Sequence, residues 1–325
     1  MHVSKILGIA VVLGGFALVG CGDDATNTPT DAGTGTDSAV PLTLDPPVAW
    51  DRSGATPVAA TIDLACRGSN TRPVETGAAT SFDLRAEDFQ NHTPVPDVAI
   101  NFYPDNLIPA SRACTGTCFT AMTNSDGRVT VTDALGSWYA YYIAPRDCSV
   151  SGACPTAAAT PVPTVQYNEI VPAATSTAVG NSVSQATLGL IPTVLGLSRQ
   201  NGTAIVAGAL YDCNDLAVQN LVIRMFKADG TEIIDTGGRT QPAFKYFNGD
   251  SFPDGTQTNS NTDGLYAAAN IAVPADGTPL RMESWGMVDG EMHMIGCEEA
   301  LVFADGVTVM NLRPFRSDGP SNCSE

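Results

Sequence analysis

Short segments of alternating apolar and polar residues recur along the chain, and they recur twice in the same order. "TPVPDVAINFYPD" (93–105) and "LAVQNLVIRMFKADG" (216–230) each alternate as a half-buried strand requires. Each is followed by an Asn-x-Asp-Gly turn that feeds a second strand, "TNSDGRVTVTD" (123–133) and "SNTDGLYAAAN" (260–270). Glycine takes the positive φ in such a turn, and Asn or Asp bonds the neighbouring backbone. "GSWYAYYIAP" (136–145) and "PLRMESWGM" (279–287) supply a further strand in each copy. "GNSVSQATLGLIP" (180–192) and "DGVTVMNLRPF" (305–315) read as the closing strands. Few segments carry the Glu/Lys/Leu mixture of an amphipathic helix. The pattern predicts an all-β protein with two tandem antiparallel sandwiches, one over 51–197 and one over 198–325 with a C-terminal tail.

The order of these features resembles the transthyretin-like, carboxypeptidase-regulatory-like family of small β-sandwiches. In that family a "V-x-D/N-x-x-V-x-V" strand, a "T-[ND]-x-D-G" turn and a "G-x-Y/W-x-[LV]-x-[AV]" strand recur. The resemblance covers about two-thirds of the chain beyond its leader and implies an immunoglobulin-like or transthyretin-like fold for each copy. Cysteine-bearing insertions at 106–121 and 146–166 set the first copy apart from it.

The N-terminus is a different kind of sequence. Lys5 precedes an apolar run over 6–20, which has signal-peptide length and is short of the roughly 20 residues that span a bilayer. The run ends in Leu18-Val19-Gly20-Cys21, which resembles the lipobox of bacterial lipoproteins. The resemblance implies cleavage after residue 20, lipid on the Cys21 thiol and a membrane partner held through that lipid, stable because more than one acyl chain is buried. Gly22 in place of Asp implies sorting to the outer membrane of the cell envelope. Residues 21–50, Thr/Asp/Gly/Pro-rich as far as Pro47, cannot bury enough surface to offset ordering and are expected to be a flexible tether.

Composition narrows the partners. The chain has 325 residues with 16 Lys+Arg against 34 Asp+Glu, a net charge of −18, and loss of 1–20 removes Lys5 and no acid. So negative a surface repels phosphate backbones and excludes nucleic acid as the expected partner. Eight of the nine cysteines lie beyond Cys21, an even number that suits disulfides in an oxidising compartment. Local bridges are expected at Cys114–Cys118 and Cys148–Cys154. A Cys213–Cys297 bridge would tie the ends of the second copy, which leaves Cys66 for Cys323.

Catalytic chemistry has little to work with. His92 and His293 are the imidazoles beyond the leader, and no G-x-S-x-G, H-E-x-x-H or P-loop pattern is present. Two stretches offer binding chemistry. "NGDSFPDGTQTNSNTDG" (248–264) gathers Asp250, Asp254, Asn259, Asn261 and Asp263, hard oxygen ligands that suit Ca²⁺, though the spacing is not that of an EF-hand and a solvated hairpin loop gives the same composition. In "SWYAYYIA", Trp138 and Tyr142 face one side of a strand while Tyr139 and Tyr141 face the other. One row fills the core; the second is either an aromatic platform for a glycan or protein partner or a row covered by the insertions. The expectation is a non-enzymatic binding, adhesion or structural protein of the envelope. A hydrolase with a dispersed site and a calcium-stabilised adhesion module are the alternatives.

Overall fold

The computed structural model describes residues 44–68, 81–104, 107–132, 135, 138–145, 160–172, 177–314 and 323. The leader, Cys21, most of the tether, and Cys148 with Cys154 lie outside them. The chain is all-β. In order it forms β1 (Val48–Asp51), β2 (Val58–Ala60), β3 (Phe82–Asp88), β4 (Ala99–Pro104), β5 (Phe119–Met122), β6 (Arg128–Val131), β7 (Trp138–Ile143), β8 (Thr164–Ile170) and β9 (Thr177–Ser182). A helix, α1 (Gln185–Val194), follows. Then come β10 (Thr203–Ala209), β11 (Ala217–Gln219), β12 (Val222–Phe226), β13 (Glu232–Ile233), β14 (Ala243–Phe247), β15 (Pro253–Asp254), β16 (Leu265–Ala272), β17 (Leu280–Val288), β18 (Glu291–Ala300) and β19 (Val307–Met310). No helix among the described residues is long and apolar enough to cross a membrane.

A nine-stranded sheet, order β15-β14-β16-β10-β19-β8-β7-β4-β5, runs through the middle of the molecule. Strands of both expected sandwiches, 51–197 and 198–325, lie in this one sheet. The join is β19, which pairs parallel to β8 on one side and parallel to β10 on the other. Pairing is therefore mixed where an antiparallel arrangement was expected, because the closing strand of the second copy is inserted between the copies.

Both faces of this sheet are covered, and strand alternation decides which residue goes where. On one face Tyr103, Ala140, Tyr142, Val165, Val206 and Tyr266 join Ile223, Met225 and Met282 of a four-stranded sheet, order β13-β12-β17-β18. On the other face Ile100, Phe102, Tyr139, Tyr141 and Ile143 pack on Phe82, Leu84, Val129 and Val131 of a three-stranded sheet, order β6-β3-β9. Each Val, Leu, Ile, Met or Phe among them contributes roughly 1.5–3 kcal/mol by leaving water. Further along that second face, Ala243, Ala267 and Ala269 are small enough for α1 to settle through Leu188 and Leu195.

Helix α1 is the element that the strand reading of 180–192 missed beyond Ser182. Ser184 caps it, its hydroxyl accepting the Thr187 amide at 3.3 Å, and Gly196 ends it at φ +74° with its amide on the Thr193 carbonyl. The apolar face that docks on the alanines does the rest; propensity alone, with Pro192 in the last turn, would not hold it.

Candidate functional site

The Asn-x-Asp-Gly turns close two corners with the same hydrogen bonds. In the first, Gly127 (φ +70°) accepts the Ala86 amide at 2.8 Å, and the Ala86 carbonyl accepts Val95 N–H at 2.9 Å. In the second, Gly264 (φ +66°) accepts the Leu210 amide at 2.9 Å, and the Leu210 carbonyl accepts Val218 N–H at 2.8 Å. A Cβ on either glycine would lie 2.6 Å from the carbonyl oxygen of Ala86 or Leu210 respectively, so backbone proximity as well as positive φ demands glycine. Thr123 and Ser260 play one role: each hydroxyl donates to the carbonyl of that Val and accepts an amide, from Val98 or Leu221.

The corners differ in what lies outside them. Beyond the second, β1 pairs antiparallel with β11, placing Val48 opposite Gln219 and Trp50 opposite Ala217. Because Val218 N–H points inward to Leu210, the peptide groups of Ala217 and Gln219 face β1. The same positions in the first corner are Pro94 and Pro96, which have no N–H to offer a strand. The first edge is thereby closed to strand addition and the second is completed by the N-terminal segment.

That segment is fastened along its length. Trp50 Nε1 donates to Gln219 Oε1 at 2.9 Å, and Asn220 Nδ2 donates to the Pro46 carbonyl at 2.9 Å. Arg52 reaches the 248–264 loop, donating to the Gly249 carbonyl, the Thr262 hydroxyl and the Ser251 hydroxyl at 3.3–3.4 Å. Farther on, Asp63 N–H donates to Asp212 Oδ2 at 3.0 Å, and Cys66 is bonded to Cys213. Cys297 is bonded to Cys323, and Cys114 to Cys118. The expected Cys213–Cys297 and Cys66–Cys323 pairs are thus exchanged. The strap carries Cys66 to the turn after β10, whereas Cys297 lies on β18, in the four-stranded sheet.

Arg52 also bears on the expected calcium loop. Asp263, 5% exposed, bonds the Leu265 amide through Oδ1; its Oδ2 is buried without a hydrogen bond of ordinary geometry. Burial pushes the carboxyl up to about 6, against the Leu265 amide, the Arg52 charge and Ser251. Its counterpart in the first corner, Asp126, is exposed. The other loop oxygens shape turns: Asp254 accepts the amide and hydroxyl of Thr256, and Asn261 accepts the Thr262 amide. Asp250 sits in a turn bonded to Asn248, and Asn259 lies in the bend before Ser260. No group of three or more acidic, His or Cys side chains converges on a metal position among the described residues.

The aromatic strand is not a surface platform. Trp138, Tyr139, Tyr141 and Tyr142 are all buried, because β7 is an inner strand with a core on each face. Arg112 closes over Tyr142, 5.3 Å from its centroid, and Arg313 over Trp138 at 4.8 Å. Of the two histidines beyond residue 20, His92 lies in the turn after β3 with Nδ1 3.2 Å from Glu87 Oε1, while Arg85 approaches Glu87 Oε2. No Ser, Thr or Cys is bonded to its ring among the described residues. His293 stands on β18 opposite Gly286.

A polar chain that no sequence motif announced lies beneath β7. Tyr141 Oη accepts the Asn181 amide at 2.6 Å and donates to Gln166 Oε1. Gln166 Nε2 donates to Glu169 Oε1, which Asn311 Nδ2 approaches at 3.5 Å. Nearby, Arg313 donates through Nε to Asp215 Oδ1 and through Nη1 to the Asn168 carbonyl.

No family model and no curated protein matches the chain. Solved structures overlap it weakly. A variant of the shaft pilin SpaA from Lactobacillus rhamnosus GG is 13% identical, with 74% of this chain and 98% of that one covered at a TM-score of 0.22. The pilin without substitutions gives 12%, 72%, 97% and 0.23, and a streptococcal ancillary pilin 13%, 74%, 63% and 0.19. Overlap at this level carries no weight for function. The transthyretin-like resemblance rests on the motifs alone.

Proposed function

We propose that this protein is displayed on a bacterial cell envelope, held to the outer membrane by lipid on Cys21 through a tether that ends before β1, short of the expected residue 50 because Leu44 is buried and Val48–Asp51 pairs as a strand. There it serves a non-enzymatic binding, adhesion or structural role toward a protein or glycan of the envelope. The observation that carries the reading is the treatment of the segment leaving the tether. It enters the fold as β1, is clamped by Trp50 and Arg52, and is locked by Cys66–Cys213. A chain held by its N-terminus needs its load to enter through such a fastening, and disulfides suit a compartment outside the cytoplasm. The buried aromatic strand directs the search for a partner surface away from β7 and toward the loops and the charged exterior.

The test is metabolic labelling with a clickable fatty acid, followed by membrane fractionation of the wild type and Cys21→Ala. The wild type is expected to carry label on the peptide beginning at Cys21 and to sediment with membranes. The variant is expected to lose label and sediment no longer. An unlabelled wild type, or a variant that stays equally membrane-bound, would overturn the anchored reading.

A further inference from the structure

We propose that the outer face of α1, together with Phe252, rests on the lipid surface to which Cys21 holds the chain. This deepens the anchored reading of the protein and rests on it. Ten residues, Gln185–Val194, make α1, and none of them is charged. Thr187, Leu188 and Pro192 turn inward, so the face left to solvent is Ala186, Gly189, Leu190, Thr193 and Val194. Leu190 and Val194 stand one turn apart on it and are 41% and 37% exposed. A surface helix normally turns a charged or polar face to water, and one that is apolar all round is covered by something. The ridge does not end with the helix. α1 lies beside β15, the edge strand of the nine-stranded sheet, and Phe252, just before β15, is 43% exposed. At the C-terminal end of α1, Arg239 donates through Nε to the Gly196 carbonyl at 3.1 Å, and its exposed guanidinium meets no carboxylate among the described residues.

Position, size and charge choose a bilayer over a protein partner. Arg52 of the strap donates to the Gly249 carbonyl and the Ser251 hydroxyl, so the N-terminal segment passes the loop that carries Phe252. Only 22 residues, 22–43, separate Cys21 from Leu44, and they span at most roughly 75 Å. Lipid on Cys21 therefore keeps a bilayer within reach of this end of the molecule, and the connection makes a weak contact intramolecular. Three apolar side chains cover far less than the roughly 800 Å² per partner that a stable protein interface buries. Two copies, each with a net charge of −18, also repel one another. A bilayer, in contrast, accepts single side chains, each buried methylene adding to the binding. An uncharged helix face with one arginine on its rim suits a zwitterionic leaflet, whose phosphate can meet that guanidinium, whereas an anionic leaflet repels the acidic remainder of the surface.

The experiment places the lipidated protein in vesicles of phosphatidylcholine with brominated acyl chains, which quench an indole that enters the bilayer. Two variants carry the reporter: Leu190→Trp on the α1 ridge, and Met122→Trp on β5, at the opposite edge of the nine-stranded sheet and itself 59% exposed. With the wild-type tryptophan signal subtracted, quenching in Leu190→Trp is expected to exceed that in Met122→Trp by about twofold or more. Equal quenching in protein that co-floats with the vesicles overturns the docking and leaves the anchor standing. Protein that does not co-float overturns the anchor, and the docking with it. A blue shift of Leu190→Trp emission that grows with protein concentration in the absence of vesicles gives the face to a second copy and overturns the proposal. Should Leu190→Trp not fold, amide exchange of the unsubstituted chain decides. Slower exchange over 185–196 on vesicles than in Cys21→Ala in solution supports the docking, and unchanged exchange overturns it.

Discussion

Residues 86–127 and 210–264 build one corner twice, with the same glycine, the same hydroxyl bridge and the same amide pairs, yet only the second is covered by another strand. The difference comes down to two backbone donors. Pro94 and Pro96 remove from the first edge the amides that Ala217 and Gln219 present at the second. One edge is blunted and the other is used, two ways of keeping an exposed edge from pairing with other chains. Covering has an electrostatic consequence, since Asp263 loses water under the strap while Asp126 keeps it. A repeated motif fixes local geometry, and its outside neighbours set its chemistry.

The largest way to break this comparison is to unfasten the strap. Cys66→Ser with Cys213→Ser removes a link across 147 residues, and chain entropy puts the cost at about 5 kcal/mol, against about 2 kcal/mol for opening Cys114–Cys118 across 4. Thermal melts of the two double variants should therefore separate widely; equal losses would mean that the strap fastens nothing. Next come Gly127→Ala and Gly264→Ala. Each forces a side chain into the left-handed region and against a carbonyl, so each should cost roughly 2–4 kcal/mol in denaturant unfolding. Unequal costs would break the equivalence of the corners.

Exchanging the edges sharpens it further. Gln219→Pro deletes an amide and the Trp50 anchor together, at roughly 1–3 kcal/mol, and should speed hydrogen exchange over 48–51. Pro94→Ala with Pro96→Ala should leave the monomer nearly as stable but restore two edge donors, visible as concentration-dependent association in light scattering. A smaller effect belongs to the two turn aspartates. Asp263 is raised in the fold, so the stability it contributes is present in acid below its usual range and lost as pH rises through about 6. Asp263→Asn should flatten that decline, whereas exposed Asp126→Asn should change stability by no more than about 0.5 kcal/mol. The smallest expectation concerns Ca²⁺. Turn hydrogen bonds engage Asp254 and Asn261, and no three acidic side chains converge in the loop among the described residues, so millimolar calcium should leave the midpoint unmoved, and an upward shift would make the loop an ion site.

Much of this fold could be read from sequence because the features concerned are local. The Asn-x-Asp-Gly turns announced both corners, and alternation in "SWYAYYIA" sorted Tyr139 and Tyr141 from Ala140 and Tyr142. What alternation could not supply was the number of covered faces. An aromatic row looks the same in sequence whether water or another sheet lies beyond it. Strand order escaped for a related reason: the insertion of β19 between β8 and β10 depends on contacts more than a hundred residues apart. Cysteine pairing by elimination failed because the strap brings Cys66 to the turn at Cys213. The one hint, "VAWDR" breaking the polar tether with an apolar run and an arginine, is too short to stand out. Arg313 and Asp215 carried no signal, being ordinary residues 98 apart in sequence that only the fold brings together.

The most direct measurement of the strap is a disulfide map of the native protein by non-reducing proteolysis and mass spectrometry. The structure predicts one cross-linked species joining the peptides of Cys66 and Cys213 and another joining those of Cys297 and Cys323. A species joining Cys213 to Cys297 would leave the N-terminal segment unfastened and contradict the account.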